Sequence, residues 1–160
     1  MRDGAHALAH QCRFGGHCRV LYTVAQHSGA VADLVGEAGG SPDDALWGLL
    51  HDAPEAYLGD LPHPLKHRSR LGEEYRDVEA RLQAAVAERF RLPPQPPPLV
   101  KELDRRLLAT ERRSLVGEAW EWPELRGVAP LAYAIHPWEP ARARSEFLAR
   151  YGELEERRRP

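Results

Sequence analysis

Ser41-Pro42-Asp43-Asp44-Ala45-Leu46-Trp47-Gly48-Leu49-Leu50-His51-Asp52 is the stretch from which the fold is most directly read. Ser41 has the side chain of an N-cap, Pro42 suits the first helical position, and Asp43 and Asp44 place negative charge where a helix dipole favours it. Ala45 and Leu49 then recur at helical spacing, and Asp52 continues their stripe. The helix is expected to run to about Asp52, because Pro54 cannot donate a bond to the carbonyl four residues back. A short helical turn is expected to restart at Pro54 and end at Gly59.

Helical periodicity extends outward in both directions, and no alternating apolar–polar run bounded by turn residues interrupts it. Upstream, helices are expected over about Asp3 to Cys12, ending before Gly15-Gly16, and over about Leu21 to Glu37, stopping at Gly39-Gly40. Downstream, a helix from about Gly72 to Arg91 carries Tyr75, Val78, Leu82, Val86 and Phe90 on one stripe. Pro93–Pro98 connects it to another helix from Leu99 to about Leu115. The stretch from Trp120 to Pro140 reads least clearly. A last helix over about Ala141 to Glu155 presents Phe147, Leu148, Tyr151 and Leu154 inward, followed by an Arg157-Arg158-Arg159 tail expected in solvent. The expectation is an all-α single domain spanning residues 1–160.

The composition agrees. The chain of 160 residues is 42% apolar and 29% charged, typical of a globular domain. No apolar run approaches the roughly 18–20 residues of a membrane crossing, and no secretory leader is recognisable near Met1. A net charge of −2, from 22 basic and 24 acidic residues, argues against a protein that coats nucleic acid, so no stable nucleic-acid complex is expected. Cys12 and Cys18, the chain's two cysteines, match no usual zinc spacing and read as reduced thiols of a cytoplasmic protein. Twenty of the basic residues are arginine, which leaves Lys66 and Lys101 conspicuous.

Ionisable residues standing where the pattern demands apolar ones carry the functional signal. His27 interrupts the stripe Val24, Val31, Leu34, Ala38; Asp52 follows Ala45 and Leu49; Asp104 falls between Val100 and Leu107. His51 lies about 100° around the helix from Asp52. An inward carboxylate without a partner costs several kcal/mol. A divalent cation held by two imidazoles and two carboxylates would offset all four desolvation costs together. Two separate buried His–Asp pairs are the other reading, and His27 alone also reads as a satisfied core histidine. Glu55, four residues after His51, faces the same cavity if the backbone stays near-helical across Pro54. A carboxylate one turn from a metal is what hydrolysis needs for proton transfer; an ordinary first-turn glutamate is the alternative.

Val24-Ala25-Gln26-His27-Ser28, Leu49-Leu50-His51-Asp52-Ala53-Pro54-Glu55-Ala56-Tyr57-Leu58-Gly59-Asp60-Leu61-Pro62 and Lys101-Glu102-Leu103-Asp104-Arg105-Arg106-Leu107-Leu108 resemble the H…HD…D pattern of HD-domain metal-dependent phosphohydrolases. Gly59-Asp60-Leu61-Pro62 with Lys66, and Cys12-Arg13-Phe14-Gly15-Gly16-His17, are similar to the branch containing bacterial 5′-deoxynucleotidases and phage dATP triphosphohydrolases. The likeness covers about Ala5 to Leu115.

The resemblance implies an HD-type helical bundle with one divalent cation (cobalt, manganese, zinc, nickel or iron) on His27, His51, Asp52 and Asp104. Glu55 then corresponds to the catalytic acid/base, and Asp60 to a residue near the sugar. Arg13 and Lys66 match phosphate contacts, and Phe14 matches an aromatic beside the nucleoside. Gly15 and Gly16 permit close approach of backbone to ligand. Each peripheral residue also has a plainer reading: Arg13 as a helix C-terminal cation, Phe14 as core, Asp60 as a turn residue. His63 stands where a smaller polar or basic residue is expected, and His17 reads as a loop histidine. The implied activity is hydrolysis of a small deoxynucleotide, with the Arg13–His17 loop favouring a triphosphohydrolase of purine preference over a 5′-nucleotidase. A homo-oligomer is implied as well. A non-catalytic module that binds a nucleotide to regulate a partner is the rival function.

Overall fold

Ser41 caps its helix in a reciprocal box: its hydroxyl accepts from the Asp44 amide at 3.1 Å, and the Asp44 carboxylate accepts from the Ser41 amide at 2.9 Å. The computed structural model describes residues 1–116 and 122–159. Its helices are α1 (Arg2–Ala9), α2 (Val24–Glu37), α3 (Pro42–Leu50), α4 (Glu55–Leu58), α5 (His63–Arg68), α6 (Arg70–Phe90), α7 (Pro98–Glu111) and α8 (Pro140–Arg157). Among the described residues there is no strand, only an isolated bridge between Cys12 and Thr23. The fold is all-α.

Helix ends moved where local hydrogen bonds compete. α1 stops at Ala9, short of Cys12, because Cys12 pairs with Thr23. α2 starts at Val24, later than Leu21, because the Thr23 hydroxyl accepts from the Gln26 amide at 3.2 Å and forms the cap. α3 ends at Leu50, two residues before Asp52. α5 was not anticipated; Pro64 in its first turn starts it. α6 begins at Arg70 with Ser69 as its cap. Its stripe from Tyr75 to Phe90 is half-buried, not fully inward. The tail is not all solvated either: Arg158 donates to Asp43 at 2.5 Å and to the Phe90 carbonyl at 3.0 Å. Trp120 lies outside the described residues.

α3 runs through the centre of the core, with every residue from Ala45 to Leu50 buried. α2 crosses it closely, and Gly48 makes this possible: a Cβ there would stand 3.2 Å from the Ala32 Cα. Leu8 of α1, Val31 and Val35 of α2, Val100 and Leu107 of α7 and Phe147 of α8 complete the apolar interior. Arg150 of α8 grips Asp33 of α2 through two parallel bonds of 2.8 and 2.7 Å. The poorly legible segment before α8 is held by buried Gln26, which donates to the His136 carbonyl at 2.8 Å and accepts from the Trp138 amide at 2.9 Å. No helix among the described residues is long and apolar enough to cross a membrane.

Candidate metal centre

The crossing of α2 and α3, with α7 alongside, brings His27, His51, Asp52 and Asp104 to one point. The His27 Nε2 lies 3.3 Å from the His51 Nε2 and 3.7 Å from the Asp52 Oδ2; the His51 Nε2 is 3.3 Å from the same oxygen. Asp104 Oδ1 sits 3.0 Å from the His27 Nε2 and 3.6 Å from the His51 Nε2. Ligands about 2.1 Å from a shared cation are separated by about 3.4 Å in tetrahedral and about 3.0 Å in octahedral geometry. His27, His51 and Asp52 could therefore hold a metal ion. The nitrogen and oxygen donor set suits a divalent transition metal.

Both rings are turned to present Nε2. His51 Nδ1 donates to the Gly48 carbonyl at 2.7 Å, a bond available because the α3 helix ends there. His27 Nδ1 donates to the Glu111 carboxylate at 2.6 Å. Such outer partners fix the tautomer and raise ligand basicity. Glu111 and His27 are both fully buried. Sequence reasoning missed Glu111, although it continues the α7 stripe Leu103, Leu107 at four-residue spacing, the same kind of signal that marked Asp104.

Arg13 binds the cluster together. Its Nε donates to Glu111 at 3.2 Å and its Nη1 to Asp52 at 3.3 Å. Burial would raise the Asp52 carboxyl, but the charge of His51, then of His27 and Arg13, holds it well below the usual range. Burial would likewise lower His51, yet Asp52 and Asp104 hold it well above an ordinary histidine.

Glu55 is different. It is buried, and its Oε2 has no hydrogen-bond partner among the described residues. Burial first, then the negative charges of Asp52 and Asp60, push its carboxyl up to about 9. A carboxylic acid that keeps its proton at neutral pH is equipped to give that proton away.

The Arg13–His17 loop closes one side. Phe14, Gly15 and Gly16 all have positive φ, of 59°, 59° and 82°. The turn is held by Asp60, which accepts from the Phe14 amide at 3.2 Å. The Phe14 ring lies 5.8 Å from that of Trp122, and Gly16 is exposed. Lys66 pairs with Glu79 at 2.7 Å, but its charge still reaches Glu55. His63 lies 3.4 Å from Glu124, and His17 is exposed on the loop.

No family model matches the chain. Two relatives do. "Uncharacterized protein YfdR" of Escherichia coli (strain K12) is 37% identical over 161 residues, which cover 99% of this chain and 86% of that protein. The chain belongs to the YfdR family. "Uncharacterized protein RCAP_rcc00048" of Rhodobacter capsulatus is 33% identical over 166 residues, covering 94% of this chain and 83% of that protein. The match to YfdR spans nearly the whole of this member of the YfdR family.

Glu111→Gln keeps an acceptor for His27 but removes the charge that Arg13 and His27 share. Metal affinity is expected to fall about 10–100-fold, measurable by competition with a chromophoric chelator. Glu111→Ala also leaves Arg13 without one of its two carboxylates. Breaking a buried pair in this way costs about 3–5 kcal/mol, expected as a lower urea midpoint.

Proposed function

We propose that this chain is a divalent-metal-dependent phosphohydrolase of the HD type, acting on small deoxynucleotides. The observation that carries the proposal is the pairing of a compact two-histidine, two-aspartate donor cluster with a buried, proton-bearing Glu55 whose Oε2 lacks a partner. His27, His51, Asp52 and Asp104 would hold the cation, with Asp104 as the fourth ligand. The cation when bound supplies Lewis acidity and an activated water.

The remaining work falls to the chain. Arg13 offsets negative charge beside Asp52, where a phosphoryl oxygen would enter. Glu55 holds a proton at the edge of the cluster for the departing ester oxygen. Water adds to phosphorus, the phosphorus–oxygen bond to the sugar breaks, that oxygen takes the Glu55 proton, and a proton released by the attacking water restores Glu55. Phe14 and Trp122, each already beside a guanidinium (Arg13 and Arg112), would offer their remaining ring faces to a base, while Asp60, which holds the turn, would accept from a sugar hydroxyl.

The cation pairing also bears on phosphate number. Arg13 is matched to Asp52 and Glu111, and Lys66 to Glu79. Phosphate would have to compete with these carboxylates for Arg13 and Lys66, and a monophosphate asks the least of them, so it is proposed over the triphosphate that the loop sequence favoured. Chromatographic product analysis tests both. The protein, supplied with Mn²⁺ or Co²⁺, is incubated with deoxynucleoside mono- and triphosphates and their ribo counterparts. Deoxynucleoside plus orthophosphate is the expected product; deoxynucleoside plus inorganic triphosphate would replace the monophosphate reading. Binding without turnover for every substrate and metal would overturn the enzyme.

A further inference from the structure

Cys12 and Cys18 stand at the two ends of the Arg13–His17 loop with their sulfurs 3.4 Å apart, and neither is in a disulfide. We propose that these two thiols form a reversible oxidation site, closing into a disulfide across the loop that carries Arg13 and Phe14. The inference does not depend on the substrate assigned above.

A disulfide needs sulfurs about 2.05 Å apart, so the remaining approach is small. Cys12 is the fixed partner. It pairs with Thr23 in the isolated bridge, and the neighbouring Arg13 and Val24 amides bond to the Tyr22 and Gln11 carbonyls at 2.9 and 3.1 Å. Cys18 is held through its thiol, which donates to the Arg13 carbonyl at 3.5 Å, and through the next amide, Arg19, which donates to the Leu115 carbonyl at 2.8 Å; the longer thiol bond is the one that side-chain rotation can give up without moving the backbone. The Cys18 sulfur therefore makes the approach, giving up the Arg13 carbonyl for Cys12. The positive-φ turn at Phe14, Gly15 and Gly16 has already brought the chain back on itself. The entropy of closing this short loop is spent in the reduced fold.

With a peroxide as oxidant the chemistry balances. One thiolate attacks a peroxide oxygen, the oxygen–oxygen bond breaks, and a sulfenic acid and one water form. The second thiol attacks that sulfur and expels the second water, so two thiol hydrogens and two electrons pass to the peroxide. Burial and the adjacent Cys12 push the Cys18 thiol up to about 11, which slows the first step. The second step is intramolecular between touching sulfurs, so the sulfenic acid does not accumulate.

The test treats the full chain with hydrogen peroxide and reads intact mass and peptides after alkylation under denaturing conditions. The expected result is loss of two hydrogens, a peptide linking Cys12 to Cys18, and reversal by dithiothreitol. Amide hydrogen exchange across 13–18 is expected to slow in the oxidised protein. Cys12→Ser and Cys18→Ser, checked for folding by circular dichroism, should instead gain oxygen atoms at the remaining thiol. Oxygen addition to a single cysteine of the wild-type chain, disulfide-linked dimers, or unchanged exchange across the loop would overturn the proposal. The wild-type measurements decide it even if a serine variant fails to fold.

Discussion

Glu55→Gln is expected to lower turnover by about 10²- to 10⁴-fold while leaving metal content unchanged. Glutamine has nearly the shape of the protonated acid but no proton to give. Glu55 is not one of the proposed ligands, and its Oε2 makes no bond among the described residues that the substitution would break. Steady-state kinetics with a deoxynucleotide, beside metal analysis of the same sample, reads both effects. Turnover equal to wild type would remove Glu55 from the mechanism. Intact nucleotide binding with no turnover in either protein would favour the regulatory module.

The same substitution is expected to stabilise the metal-free protein, and the sign follows from linkage. In the unfolded chain the carboxyl ionises near its ordinary 4.5, but in the fold it holds its proton to about 9. The folded state therefore binds more protons between these values, and wild-type stability falls as pH rises through that window. At pH 7 the difference corresponds to about 3 kcal/mol. The advantage of the glutamine variant in urea unfolding should be absent below pH 4.5, grow with pH, and level off near 9. Stability given up at a working acid is a common cost of function.

His51→Ala and Asp104→Ala are each expected to abolish stoichiometric metal binding and activity together. In His51→Ala one of two imidazole donors is gone, and the Gly48 carbonyl loses its partner. In Asp104→Ala the oxygen 3.0 Å from the His27 Nε2 is gone. Because ligands must shed protons to bind a cation, metal affinity should also fall as pH drops. Metal bound to the folded state adds to its stability, so a chelator should lower the wild-type melting temperature and leave the alanine variants unmoved. Full metal content in either variant would dismantle the four-ligand assignment.

Much of the cluster was legible because burial of charge violates a period. His27, Asp52 and Asp104 stand on apolar stripes, and the structure brings all three to one point with His51. Glu111 is legible by the same rule, four residues after Leu107, although no motif accompanies it. Arg13 was placed at a phosphate on resemblance alone. Nothing local could show that its guanidinium is shared with Glu111, 98 positions along the chain. The half-buried α6 stripe and the hold of Gln26 on His136 and Trp138 were hidden for a related reason. Amphipathicity says that a face is apolar, but not what covers it, or how completely.

By itself, then, the sequence determined the local matters: an all-helical chain, the Ser41 N-cap, the proline-delimited turn at Glu55, and the inward stripes that carry His27, Asp52 and Asp104. These depend on backbone geometry and side-chain spacing within a few residues. Tertiary structure decided the rest. Only the crossing of α2 and α3 at Gly48 places two imidazoles 3.3 Å apart, and only the return of α7 supplies Asp104 and Glu111 to them. The proton on Glu55 has the same origin, since burial and the fields of Asp52 and Asp60 act through space and not along the chain.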